Sequence, residues 1–205
     1  SFRRPPRLSL AIRGVGGQGN LFFGKVLAQV AFLAGYDDRN ILKGETHGMA
    51  QMGGPVISTF GCGEVFSPAL VPGTANVLIA MEKAEVLRPG FLDLLEPGGT
   101  VLMADTRILP HGLKPEAYPS DEAIAAQLEG YRVVSVDVLS IALNLGDPKG
   151  RCANVAMLGV LSTLPPFDVV PEAVWLQALR GISRKPALWD LNHAAFMAGR
   201  GMQKG

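Results

Sequence analysis

The stretch RGVGGQGN, residues 13–20, places glycines at 14, 16, 17 and 19 between two apolar runs. Gly14, Gly16 and Gly19 satisfy G-x-G-x-x-G. Such a loop between a strand and a helix lets backbone N–H groups close on a phosphate at the helix N-terminus. Gly17 adds backbone freedom, and Gln18 and Asn20 add side-chain amides at the same rim. The same glycines also suit a tight turn with close helix–sheet packing, so the loop alone does not choose between the two. Lys25 falls in mid-helix, away from the position of a phosphate-binding loop lysine. A dinucleotide site further requires an acid near the ribose at the end of the second strand. Asp37 and Asp38 lie at a suitable distance, but they precede any second strand.

A second stretch, GETHGMAQMGG at 44–54, brings Glu45, His47 and Gln51 close together among Gly48, Met49, Gly53 and Gly54. It has no helical period and reads as an ordered loop. Its carboxylate, imidazole and amide either form a hydrogen-bond network at the mouth of a site or satisfy buried backbone. Nothing near His47 in sequence orients it as a triad would, so no general base is assigned. One histidine and one carboxylate are a poor metal set. Glu82, Glu85 and Arg88 follow the apolar run 75–81. Glu85 and Arg88 stand three apart and can pair on a helical surface. Glu82 stands where ligands gather, at the carboxyl end of a strand, or else on a solvated face. His111 reads as exposed in a Pro/Gly loop, and Asn192 and His193 as packing or capping residues. Cys62 and Cys152, Trp175 and Trp189, and Met49, Met52 and Met81 read as packing residues.

The elements that must position these residues alternate in type. Strands are predicted at 8–13, 55–63, 75–81, 98–105 and 131–138, with 63–68 as a hairpin partner of 55–63. Helices are predicted at 20–36, with Gly35 as C-cap, and at 120–130, with Ser120 as N-cap. Further helices fall at 139–146, 154–164, 171–182 and 185–199. Pro89 and Gly90 should split 82–95 into two short helical pieces. Residues 106–119 read as an irregular connection. The pattern predicts an α/β fold, a Rossmann-like three-layer sandwich with a mostly parallel sheet. Residues 1–205 form one domain on this reading, with 1–7 as a flexible arm in which Pro5 and Pro6 interrupt Arg3, Arg4 and Arg7.

Composition narrows the function. With 205 residues, 48% of them hydrophobic, the chain can bury a good core. A net charge of +1 leaves no electrostatic footprint for nucleic acid. No apolar run approaches the roughly 18 residues of a membrane span, and no apolar h-region follows the N-terminal arginines. The 2 cysteines suit a reducing cytoplasm and cannot hold a four-cysteine iron–sulfur cluster.

Together, GVGGQG, GETHGMAQMGGPVIS and MEKAEVLR resemble the gamma-type subunit of 2-oxoacid:ferredoxin oxidoreductases, most of all the small subunit of the indolepyruvate type. The resemblance runs from residue 8 to about 105 and resumes at NVAMLGVLS and LNHAAFMAG. It implies a subunit, inactive on its own, of an oxidoreductase complex that decarboxylates a 2-oxoacid on thiamine diphosphate and captures the acyl group on coenzyme A. Thiamine diphosphate, Mg and 4Fe–4S clusters are then expected in partner chains, with ferredoxin or another electron acceptor. Coenzyme A is the one cofactor that the resemblance would bring to this chain. The site residues it implies are Gly14, Gly16, Gly17, Gln18, Gly19 and Asn20 of the first loop and Glu45, His47, Gly48, Met49, Gln51, Gly53 and Gly54 of the second. Met52 departs from the arginine usual in the family, which removes a bidentate anion contact. Gly146-Asp147 is followed by Pro148 rather than completing a Gly-Asp-Gly signature. Two other readings remain at this point: a stand-alone dinucleotide-binding oxidoreductase using the first loop, and a partner-binding Rossmann module without catalysis.

Overall fold

Strands that are apolar on both faces must be covered on both, and this sets the architecture. A computed structural model of the chain describes residues 2–14, 17–47, 56–64, 71–109 and 112–202. β1 (Arg7–Arg13) and β4 (Ala75–Ala80) are buried along almost their whole length. With β2 (Ile41–His47), β3 (Val56–Gly63), β5 (Leu95–Ala104) and β6 (Arg132–Val136) they form one sheet, in the order β2-β3-β1-β4-β5-β6. β1, β4, β5 and β6 pair in parallel, whereas β3 is antiparallel to both β1 and β2. β2 therefore runs in the direction of β1, and only β3 opposes the rest. The sheet is mostly parallel, as predicted.

Alternation along the strands divides the core between two faces. Leu8, Leu10 and Ile12 of β1 face α1 (Gly17–Leu33), α3 (Val138–Asn144), α4 (Ala153–Leu161), α5 (Glu172–Ile182) and α6 (Pro186–Gly201). Ala11, Leu78 and Val101 face the opposite way, towards α2 (Asp121–Gln127) and the short 3-10 turns at Lys83–Leu87 and Leu92–Leu94. α1 leads from β1 to β2 on one face, and the 3-10 turns lead from β4 to β5 on the other. Both crossovers keep the right-handed sense because the chain moves outward in opposite directions from the β1/β4 boundary. That boundary is the topological switch point of the sheet.

Local signals set the helix ends. At the end of α1, the Tyr36 N–H donates to Ala31 O (3.0 Å), and Gly35 turns the chain at φ +94°. Ser120 accepts from the Ala123 N–H (3.1 Å) and starts α2. Pro89 and Gly90 separate the two 3-10 turns as expected. α4 and α6 meet at glycines: a Cβ on Gly159 would lie 2.1 Å from Phe196 O, and one on Gly199 2.0 Å from Ala156 O. Among the described residues, no helix is long and apolar enough to cross a membrane.

The structure corrects several sequence expectations. α1 begins inside the glycine loop at Gly17 rather than at residue 20 and ends at Leu33 rather than 36. Residues Gly44–His47, predicted as loop, form the second half of β2, because β3 offers them a complete antiparallel ladder. The partners of β3 are β1 and β2 rather than 63–68; residues 65–68 lie outside the described residues. The N-terminal arm is packed down rather than free. Pro5 is buried, the Tyr36 hydroxyl donates to Pro5 O (2.6 Å), and the Glu64 N–H donates to Pro6 O (2.9 Å). Arg4 donates to Gly35 O and lies over the Tyr36 ring. Prolines lack an N–H but keep a carbonyl, so Pro5 and Pro6 dock through their carbonyls as acceptors.

Candidate functional site

The ladder brings the carboxyl ends of β1 and β2 to the same edge of the sheet. Ile12 pairs with Ser58, and Ser58 with Glu45, so the three lie abreast near the carboxyl ends of β1 and β2. β1 enters the first loop at Arg13, and β2 ends at His47, opposite Val56. Gly14 adopts φ +85°, and a Cβ there would meet Glu85 Cγ at 3.1 Å and Met81 Cβ at 3.5 Å. A side chain is disfavoured at Gly14 both by conformation and by space. Gly17, Gln18, Gly19 and Asn20 form the first turn of α1, whose N–H groups have no partner within the helix. Glu45 is exposed on β2. Gly16, Gly48, Met49, Gln51, Met52, Gly53 and Gly54 lie outside the described residues, as does His111.

Two cavities flank the carboxyl end of β1. One, of about 430 Å³, lies between α1 and the β2–β3 pair and is lined by Leu21, Lys25, Lys43, Glu45 and Ser58 among others. The Lys43 stem lies across Gly24, where a Cβ would meet Lys43 Cδ at 3.3 Å. The Ser58 Oγ is buried without a hydrogen-bond partner among the described residues. The other cavity, of about 500 Å³, opens at the switch point and is lined by Gly14, Glu82, Arg88, Ile108 and Tyr118 among others.

The polar groups of the switch-point cavity are largely engaged with one another. Glu82, 6% exposed, accepts from the N–H groups of Ala84 (3.1 Å) and Ile108 (3.5 Å). Burial pushes its carboxyl pKa above the usual range. Tyr118 Oη accepts from the same Ala84 N–H (3.2 Å). The predicted Glu85–Arg88 pair is present at 3.5 Å, but Arg13 is closer to Glu85, at 2.9 Å. Sequence reading missed Arg13, which is 5% exposed and lies over the Phe91 ring. The available signal was a cation ending an otherwise apolar strand. Lys83 contacts both Asp105 (2.5 Å) and Asp121 (3.3 Å), and Arg107 also holds Asp121 (2.5 Å). These pairs pin both ends of the 106–119 connection beside the cavity. Among the described residues, the charged groups here are committed to one another and to backbone N–H groups.

The dinucleotide expectation fails on topology. Asp37 accepts from the Arg39 N–H and pairs with the Arg39 guanidinium (2.9 Å), which holds its pKa down to about 2. It stands at the start of β2, remote from the glycine loop. The acid near the carboxyl end of β2 is Glu45, but β3 separates β2 from β1. Two strand spacings place β2 about 10 Å from β1, where a dinucleotide fold would have it adjacent.

The remaining singled-out residues pack. Trp175 is fully buried, Trp189 contacts the His193 ring, and Asn192 donates to Ser183 Oγ (2.8 Å). Burial pushes the Cys62 thiol up to about 12 and the Cys152 thiol up to about 11. Neither thiol has the depressed pKa of a nucleophile. Asp147, in the Gly146-Asp147-Pro148 turn, spends its carboxylate on the Cys152 N–H (2.7 Å).

Residues 9–202 match the family described as pyruvate ferredoxin/flavodoxin oxidoreductase. The chain belongs to this family. The family match takes in both loops, the sheet and the C-terminal helices. Indolepyruvate oxidoreductase subunit IorB of Archaeoglobus fulgidus is 35% identical over 159 residues, 76% of each chain. Pyruvate oxidoreductase subunit PORC of Thermotoga maritima shares the fold with a TM-score of 0.67 at 20% identity, over 95% of this chain and 96% of that one. The 2-oxoglutarate:ferredoxin oxidoreductase of Magnetococcus marinus, solved with 2-oxoglutarate, coenzyme A and succinyl-CoA bound, gives a TM-score of 0.69 at 19% identity. It aligns with 98% of this chain over 32% of its own length. Within the pyruvate ferredoxin/flavodoxin oxidoreductase family, then, the fold predicted from the sequence is the fold observed.

Proposed function

We propose that this chain is the gamma-type subunit of a thiamine-diphosphate-dependent 2-oxoacid:ferredoxin oxidoreductase and works only in complex with its partner chains. The observation that carries this is the family match over residues 9–202, joined to a relative named as an indolepyruvate oxidoreductase subunit. The substrate favoured by that relative is an aryl 2-oxoacid such as indolepyruvate. The reaction takes a 2-oxoacid and coenzyme A to an acyl-CoA and carbon dioxide and passes two electrons to ferredoxin or another acceptor. Thiamine diphosphate, Mg and the 4Fe–4S clusters belong to partner chains. The 2 cysteines of the chain are too few for a four-cysteine cluster, and Asp147 spends its carboxylate on a backbone N–H. The two free thiols suit a cytoplasmic enzyme.

This chain's own part is to form a rim beside a partner's active site. The Gly14–Asn20 stretch offers the first-turn N–H groups of Gly17, Gln18 and Gly19 at the start of α1, a donor set that fits a phosphate of coenzyme A. Glu45 and His47, on β2, together with Gly48, Met49, Gln51, Gly53 and Gly54, which follow it in the sequence, are assigned to the same rim. The test is to reconstitute the complex with and without this chain and follow 2-oxoacid-dependent dye reduction. Loss of turnover without it, and co-purification with thiamine-diphosphate and iron–sulfur chains, are expected. Unchanged turnover, or tight NAD(H) binding with hydride transfer by the isolated chain, would overturn the reading.

A further inference from the structure

β2 lies at one end of the sheet, and among the described residues no strand pairs with its outer side. An unpaired edge is a row of free N–H and C=O groups that recruits another strand unless it is protected. We infer that β2 pairs with β2 of a second copy of this chain, antiparallel about Gly44, so that two sheets become one.

The charge pattern selects this arrangement. A two-fold axis normal to the sheet keeps each face on its own side, so a residue can pair only with one of the same parity on β2. Centring the axis on Gly44 overlaps the whole of Ile41–His47 and sets Lys43 opposite Glu45 of the second copy, twice. Shifting the axis to Lys43 or to Glu45 opposes like charges, which is destabilising. Lys43 and Glu45 are both exposed, and neither forms an ion pair among the described residues. Their charges are thus left over by the fold and complementary to themselves.

The surface beside β2 agrees. A groove of about 740 Å³ runs between α1, β2 and α5, walled by Phe32, Ile41 and Ile182 among others. Phe32 is 55% exposed there. The two-fold would set the grooves of both copies side by side on one side of the joined sheet. The opposite edge, β6, offers no such match: it is shorter and carries the single charge Arg132.

Sedimentation velocity on the full chain over a concentration series tests this. The wild-type chain should dimerise. Lys43→Glu alone, or Glu45→Lys alone, should weaken association at least tenfold while leaving circular dichroism and melting unchanged. The exchange Lys43→Glu with Glu45→Lys should restore it. Gly44→Cys supplies a second measurement, since residues facing each other across such an axis lie within disulfide reach. Oxidation should crosslink that variant, and the wild type should not crosslink. A chain that stays monomeric overturns the inference. So does a dimer unmoved by either single reversal, not recovered by the exchange, or not crosslinked through position 44.

Discussion

Glu85 holds two arginines at once, and its neighbourhood shows how a single residue can set the rim. Its bond to Arg13 is nearly buried, and its Cγ packs against Gly14. Removing one partner of a buried pair strands the other charge, at a cost of about 3–5 kcal/mol. Glu85→Ala should therefore lower stability to urea by about that much. The double variant Glu85→Leu with Arg13→Met should lose far less, because neither charge is then left alone. Cys62 makes a second residue-scale case. Its thiol pKa is raised from 9.0 to about 12 by burial. A raised pKa means that folding favours the protonated form. The associated stability is complete below about pH 9 and is lost as pH rises towards about 12. Melting temperature should fall over that window, and Cys62→Ala should flatten the fall. An equal slope in both proteins would place its origin elsewhere.

At the scale of elements, glycines have opposite meanings in neighbouring helices. Gly159 of α4 and Gly199 of α6 sit where each helix touches the other's backbone. Gly159→Ala or Gly199→Ala must push the helices apart and should cost roughly 3 kcal/mol or more, the upper range for overpacking. Gly181 of α5 has nothing within 4 Å of where its Cβ would stand. Gly181→Ala should instead stabilise by roughly 0.5–1 kcal/mol through helix propensity. Calorimetry on the three variants decides between these opposite signs. The sequence marked 154–164 as a helix. It could not distinguish a glycine at a helix crossing from one facing open space, because that difference lies in another helix.

For the whole molecule, the sheet order matters most. The carboxyl ends of β1 and β2 lie at one edge of the sheet because the two strands run the same way, with β3 returning between them. His47 ends β2, and Gln51 follows it four residues on in the sequence. If that rim serves a partner's active site, His47→Ala or Gln51→Ala should reduce turnover of the assembled complex about tenfold or more while moving this chain's melting temperature little. Equal losses of assembly and activity would mean that these side chains only hold the loop.

What the sequence determined by itself was local and periodic. Apolar runs marked the strands, Ser120 and Gly35 marked helix ends, Pro89 and Gly90 broke a helix, and the joint pattern of two loops pointed to the family. These features depend on a few neighbouring residues and leave their signature in order along the chain. Only the tertiary structure decided that Gly44–His47 is strand, that residues 2–6 pack down, and that Arg13 belongs to Glu85. It also decided that β3 separates β2 from β1 and so breaks the dinucleotide geometry. Each of these depends on a partner distant in sequence: a ladder offered by β3, a hydroxyl from Tyr36, a carboxylate from the turn after β4. Hydrogen bonds and ion pairs do not require sequence proximity, so their outcome is settled only when the chain closes on itself.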